Sequence, residues 1–203
     1  MEEMISESCL TGEYVAQKMK EFEKGKPFPH VVCDGFVRKE RIASLIRGLE
    51  KEGFAEKRAD LFHFLQTKDL HGAKDKVLKG MVQLLDSADF ASYLTRITGV
   101  KVKVGASDVF GSCYTDTHYL LCHDDRLEGR KLAFILYLTT LREGQGGALV
   151  LRNDIRGKPG SRVLRIHPRA GRLVVFAVSR KSWHAVEEIL SPVKRYAIGG
   201  WLH

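Results

Sequence analysis

The sequence predicts an α+β fold in which helices buttress one side of a β-barrel. Two patterns carry this. Apolar residues recur at helical spacing through most of the first hundred positions, and the second hundred is a series of short runs broken by Gly, Pro or Asp. A third observation places the chemistry: Leu120-Leu-Cys-His-Asp-Asp125 ends an apolar run with an imidazole and a carboxylate two residues apart.

Residues 1–10 read as a fraying or disordered tail. From Thr11 to Glu23, Val15, Met19 and Phe22 fall four and three apart, which predicts a short amphipathic helix ended by Lys24-Gly-Lys-Pro-Phe-Pro. His30–Cys33 reads as a strand and Asp34 as a cap for the next helix. Ile42, Leu45, Ile46 and Leu49 line one face of that helix, with Gly53 as the stop. Leu61–Leu65 reads as a strand. Val77, Met81, Leu84 and Leu85 make the next helical stripe, and Phe90, Tyr93, Leu94 and Ile97 the one after, closed by Gly99. Lys101–Val104 alternates with period two, as a half-buried strand does. Strands are then expected at 118–125, 130–139, 147–153, 161–166, 172–178, 183–190 and 195–202. The division is 1–24 tail and helix, 25–100 helical support and 101–203 β core, in one domain of 203 residues.

Bulk composition bounds the rest. No apolar run approaches the roughly 18–20 residues that span a bilayer, and the acidic start Met1-Glu-Glu-Met-Ile-Ser-Glu is wrong for a secretory signal. A soluble protein of the cytoplasm or nucleus is expected, without a membrane partner. Cys9, Cys33, Cys113 and Cys122 have no C-x-x-C spacing and read as reduced thiols. The formal net charge of +8, concentrated after Arg126, suits either contact with a polyanion such as ribonucleoprotein or a solvated basic surface.

In an extended strand His123 and Asp125 share a face. Two polar groups that are hard to bury together are satisfied by a metal ion, with His184 as the third ligand. Two histidines and one carboxylate with open positions opposite is the arrangement of non-heme Fe(II) sites. Asp124, on the other strand face, reads as an exposed neighbour or a hydrogen-bond acceptor behind the ligands, not as a ligand. Arg195 follows His184 by eleven residues across a Ser191-Pro192 turn, so antiparallel strands would bring both to one cavity. An inward guanidinium needs an anion and binds a carboxylate with paired hydrogen bonds. Tyr137 adds a phenol donor, and metal at one end with Arg195 and Tyr137 at the other suits a short dicarboxylate. Phe64, Gln66 and Asp69 are placed on a loop over the cavity mouth, either as substrate contacts or as an ordinary exposed loop. His118 and His167 read as structural or exposed, Trp183 and Trp201 as packing. Gly146-Gly147 reads as a tight turn with close backbone approach, with no phosphate-loop lysine beside it.

The order His-x-Asp, Gly-Gly-x-Leu, His, Arg resembles the 2-oxoglutarate/Fe(II)-dependent oxygenases of double-stranded β-helix (jelly-roll) fold. The block Leu121-Cys-His-Asp-Asp-Arg-Leu-Glu-Gly-Arg-Lys-Leu-Ala-Phe-Ile-Leu-Tyr-Leu138, with Trp183-His184 and Arg195-Tyr-Ala-Ile-Gly-Gly-Trp201, is similar to the ribosomal prolyl 3-hydroxylase branch. Phe28–Phe36 and Phe64–Leu70 extend the resemblance to roughly residues 25–203. It implies Fe(II) held by His123, Asp125 and His184. It also implies 2-oxoglutarate bound through Arg195 and Tyr137, O2 as cosubstrate, and ascorbate as a supporting reductant. The implied reaction is C3 hydroxylation of a proline in a small-subunit ribosomal protein, with 2-oxoglutarate converted to succinate and CO2. Members of the branch carry a second, inactive barrel, whereas this sequence stops at His203. Two rivals stand beside this reading: the same chemistry on another protein or a nucleic acid, and a catalytically dead barrel that binds ribonucleoprotein. A nucleic-acid enzyme would call for a second arginine after Arg195, which the sequence lacks; a dead barrel leaves three ligands and the anion arginine unexplained. The oligomeric state stays open.

Overall fold

A computed structural model describes residues 3–203. Four α-helices precede most of the sheet: α1 (Gly12–Lys24), α2 (Lys39–Glu52), α3 (Lys76–Leu85) and α4 (Ala88–Thr98). Their ends are chemically marked. Thr11, Asp75 and Ser87 accept backbone N–H bonds at the starts of α1, α3 and α4. Gly53 and Gly99, at φ +77° and +71°, end α2 and α4 in a conformation open to glycine. Asp34 does not cap α2, whose N-cap position is Arg38, without a side-chain bond. The Asp34 carboxylate instead accepts from Arg172 Nε and Nη2 at 2.6 and 3.0 Å, a charge-assisted pair that engages both of its oxygens. No described helix is long and apolar enough to cross a membrane.

The expected tail is docked from residue 3 onward; Met1 and Glu2 lie outside the described residues. Ile5 is fully buried and bridges to Val37, and a 3-10 turn at Glu7–Leu10 buries Cys9. One apolar residue and backbone bonds to Phe36 and from Arg38 suffice to hold this segment.

The sheet has eleven strands: β1 (His30–Cys33), β2 (Ala55–Ala59), β3 (Phe62–Asp69), β4 (Ser107–Tyr114), β5 (Tyr119–His123), β6 (Leu132–Tyr137), β7 (Leu149–Ile155), β8 (Lys158–Ile166), β9 (Leu173–Ala177), β10 (His184–Val186) and β11 (Arg195–Leu202). All pairings are antiparallel, in the order β1-β9-β6-β11-β4-β3-β5-β10-β7-β8, with β2 added on β3. The sheet curls on itself. Phe176 of β9 meets His184 of β10 edge to face at 4.7 Å although the two strands lie far apart in the order.

Strict alternation divides the two faces. Leu132, Phe134 and Leu136 of β6, Leu173 and Val175 of β9, and Tyr196 and Ile198 of β11 pack with the helices. Ala133, Tyr137, Val174, Phe176 and Ala197 point into the curl. Close approach of α2 rests on Gly111 of β4, where a Cβ would lie 2.5 Å from Leu49 Cδ2 and 2.9 Å from Thr67 Cγ2.

Two strands escape the sequence pattern and one expected strand is absent. All five residues of β2 are exposed, so no periodicity marks it. β4 carries Ser107, Gly111 and Ser112, poor strand formers. Lys101–Val104 is irregular: Val104 is 53% exposed, so the alternation does not record a buried face. The interval between β3 and α3 is pinned by His71, whose ring nitrogens face the carboxylates of Asp69 and Asp86.

Substituting Gly111→Val should cost about 1–3 kcal/mol through overpacking against Leu49 and Thr67, read as a lowered midpoint in chemical denaturation. His71 yields a pH signature. Burial pulls its pKa down, but the bonds to Asp69 and Asp86 outweigh this and raise it. A raised folded value means the contribution is full below the unfolded pKa of about 6.5 and fades as pH rises through the folded value. The stability gap between wild type and His71→Gln should therefore narrow as pH rises above about 6.5. It should also be small, because the pair is partly solvated. Melting curves across that range would show a constant gap if the ring contributed no charge.

Candidate metal and anion site

His123 and His184 are direct cross-strand partners on β5 and β10, so two imidazoles meet with ring centroids 4.2 Å apart. Asp125 does not reach them by strand alternation. β5 ends at His123, and Asp125 sits at φ +60°, in the left-handed region that Asp tolerates better than most residues. This local turn, rather than an extended i, i+2 relation, brings its carboxylate back to the histidines. Asp125 Oδ1 lies 3.2 Å from His123 Nε2, and Oδ2 lies 3.2 Å from His184 Nε2. All three residues offer ligand atoms within 4.8 Å of one another.

Each ring is oriented from behind. His123 Nδ1–H donates to Leu121 O at 2.8 Å, and His184 Nδ1–H donates to Ser182 O at 2.7 Å. Anchoring Nδ1 leaves Nε2 as the inward atom, which is how metal-bound histidines are held. Burial pushes the Asp125 carboxyl up, but hydrogen bonds and charge from His123 and His184 hold it well below the usual range. Burial likewise pulls His123 down, and Asp125 more than reverses it. Two imidazoles and a carboxylate, all partly or wholly removed from water, fit a divalent cation better than they fit one another. Asp124 turns away: its carboxylate accepts from Arg126 N.

Arg195 opens β11 and is only 1% exposed. It does not share a hairpin with His184. β10 pairs with β5 and β7, while β11 pairs with β4 and β6, so the two residues come from opposite walls of the curl. The connecting segment crosses between walls instead of turning back. The Arg195 guanidinium carbon lies 4.8 Å from the ring centroids of both Tyr114 and Tyr137. Arg195 Nε and Nη2 and the Tyr137 hydroxyl are buried without hydrogen-bond partners among the described residues. A permanent cation and a phenol left unsatisfied at one point make a receptor for an anion such as a carboxylate. Gly147, at φ +72°, lets the Gly146-Gly147 turn pass beside it: a Cβ there would lie 3.1 Å from Arg195 Cδ.

One cavity is lined by His123, Asp125, His184 and Arg195 together. Phe64 and Gln66 also line it, from strand β3 and not from a loop. Asp69 is not brought there; it caps the 3-10 turn at Leu70–Gly72 and pairs with His71. Trp183 is outside, donating to Asp154, whereas Trp201 lines the cavity with Arg130 stacked 3.4 Å above its ring. His118 is buried beside His63, away from the cavity. Tyr114 is a cavity residue that the sequence alone does not single out. It stacks on Phe64 at 4.9 Å and supports Arg195, and its one signal is its place at the end of a strand with weak β residues.

The family model for the 2OG-Fe(II) oxygenase superfamily matches residues 109–203. Prolyl 3-hydroxylase OGFOD1 of Xenopus laevis is 40% identical over 185 residues, covering 87% of this chain and 35% of its own length. Its Mus musculus namesake is 36% identical over 184 residues, covering 87% of this chain and 33% of its own. The chain thus spans about a third of the curated relatives it matches. Among solved structures, a Pseudomonas putida prolyl-4-hydroxylase superposes with TM-score 0.72 at 16% identity, over 93% of this chain and 98% of that one. The α-ketoglutarate-dependent epimerase SnoN of nogalamycin biosynthesis superposes with TM-score 0.69 at 12% identity, over 95% of this chain and 83% of that one. At such identities these two speak for the curled sheet alone, while the residues that match the 2OG-Fe(II) oxygenase superfamily model, 109–203, are those that carry His123, Asp125, His184 and Arg195 in sequence.

Proposed function

We propose that the chain hydroxylates a prolyl residue at C3 in a small-subunit ribosomal protein, using Fe(II), O2 and 2-oxoglutarate. The observation that carries the chemistry is the unsatisfied Arg195 guanidinium in the same cavity as a ring-anchored His123, Asp125 and His184, with the fully buried Tyr137 packed behind it. The substrate class rests on likeness to the proteins named prolyl 3-hydroxylase.

His123, Asp125 and His184 would hold the iron. Arg195 and Tyr137 would bind the 5-carboxylate of 2-oxoglutarate, and Tyr114 would brace the guanidinium. When bound, iron with the keto acid and O2 supplies the oxidising power for C–H hydroxylation while 2-oxoglutarate is converted to succinate and CO2. Ascorbate would serve as a supporting reductant. The chain's own contribution is placement. The leucine, valine and phenylalanine walls exclude water, and the anchored rings of His123 and His184 present their Nε2 atoms beside the Asp125 carboxylate, where the three would hold the metal. Phe64, Gln66 and Trp201 offer an apolar wall with one amide, suited to a prolyl ring and its peptide group. The excess of positive charge would favour a target presented near nucleic acid over a free basic peptide.

Succinate release with Fe(II), 2-oxoglutarate and ribosomal-protein peptide tests the reading, with mass spectrometry of the peptide locating the oxygen. Absence of both metal binding and keto-acid turnover would leave the inactive ribonucleoprotein-binding barrel. Turnover without peptide oxidation would move the substrate to another protein or a nucleic acid.

His184→Ala should abolish metal-dependent turnover, since two remaining ligands rarely hold Fe(II) with an open face; full activity would place the ligand elsewhere. Arg195→Ala should raise the 2-oxoglutarate requirement far more than it changes iron affinity. The lost bidentate contact is worth roughly 2–5 kcal/mol, and an unchanged keto-acid KM would refute the role.

A further inference from the structure

We propose that Ser182 is a positioning residue that locks the two histidine-bearing segments and the Asp125 turn into one register; this rests on the iron-site reading above. Ser182 is fully buried. Its hydroxyl lies 2.8 Å from the carbonyl of Asp124 and 2.8 Å from that of Ser179, and it accepts the Ser179 N–H at 3.0 Å. Its own carbonyl takes the Nδ1–H of His184 at 2.7 Å. One residue thus touches the backbone beside one ligand and the imidazole of another, across 58 positions of chain.

The contact falls where it has most effect. Asp125 sits at φ +60° immediately after the carbonyl that Ser182 engages. A non-glycine residue there persists only when its surroundings hold it. The turn is also closed locally by Arg126 N donating to Asp124 Oδ1 at 3.1 Å, and Arg130 Nη1 reaches Asp125 O at 3.5 Å, but only the Ser182 contact ties it to the segment that carries His184. Without the Ser182 hydroxyl the turn loses its tie to the His184 segment, and the Asp125 carboxylate shifts relative to the two Nε2 atoms.

The neighbouring Ser179 provides the control, since its side chain only accepts from Lys181 N while its backbone serves Ser182. The experiment measures Mn(II) and Co(II) binding by calorimetry, with the visible spectrum of the Co(II) protein, for wild type, Ser182→Ala and Ser179→Ala. Ser182→Ala should weaken metal binding about 10–100-fold, the range for groups that orient metal ligands, and should alter the Co(II) spectrum. The metal-free melting temperature should stay close to that of Ser179→Ala, whose affinity should match wild type. Should alanine prevent folding, Ser182→Cys, of similar size but a weaker donor, takes its place. Unchanged affinity in the Ser182 variant, or equal weakening in both, would overturn the proposal. Failure of the wild type itself to bind either ion would remove the iron site first, and this role with it.

Discussion

The structure depends on one constraint: the sheet β1-β9-β6-β11-β4 must bury both of its faces. A half-buried antiparallel sheet satisfies one face with water. Here the helices take the outer face, with Phe90, Leu94 and Leu49 against Phe134, Val175 and Ile198. The inner face can be covered only by the rest of the same sheet curling over it, which places β5, β10 and β7 opposite. Curling makes a cavity between walls that are remote along the chain. That cavity is why His123 and His184, from one wall, and Arg195, from the other, line a single space.

Within that space the charges are arranged in tension. A carboxylate flanked by two imidazoles occupies one part, and a guanidinium without a carboxylate partner among the described residues occupies another. Desolvation makes each costly to keep as it stands. A divalent cation relieves the first, and a dicarboxylate whose far end reaches Arg195 relieves the second. Such a ligand also presents its near end to the metal. On the proposed reading, one molecule lying between the two halves would complement both.

Much of this was legible in the residues, and the misses share physical causes. Amphipathic stripes placed all four helices because a helix must declare a buried face. β6, β9 and β11 were visible because both sides of these strands are buried and their residues are mostly apolar. β2 was invisible because it buries neither face. Lys101–Val104 misled because period two is necessary for a half-buried strand but not sufficient, and Val104 faces solvent. At the site, side-chain type singled out His123, Asp125, His184 and Arg195, which the fold brings to one cavity. The reasoning from spacing was less secure. Asp125 reaches the histidines through a left-handed turn, and Arg195 faces His184 across the curl instead of along a hairpin. Neither relation is encoded in separation along the chain, because each depends on where a strand stops or crosses.

Fold and substrate are decided by different parts of the molecule. The curled sheet is shared, at 12–16% identity, with a prolyl-4-hydroxylase and with an epimerase, so the architecture itself places little demand on the reacting molecule. On the proposed reading, selectivity would come from cavity residues other than His123, Asp125, His184 and Arg195. In this chain those include Phe64 and Gln66 of β3 and Trp201 of β11, the last with Arg130 laid on its ring. Arg130 belongs to the same Asp124–Lys131 segment that delivers Asp125, and its guanidinium reaches toward the Asp125 carbonyl. A substrate pressing on Trp201 would bear on that segment, and through it on a ligand of the metal. The β5–β6 connection is therefore the part of this chain that links the cavity wall at Trp201 to the Asp125 turn.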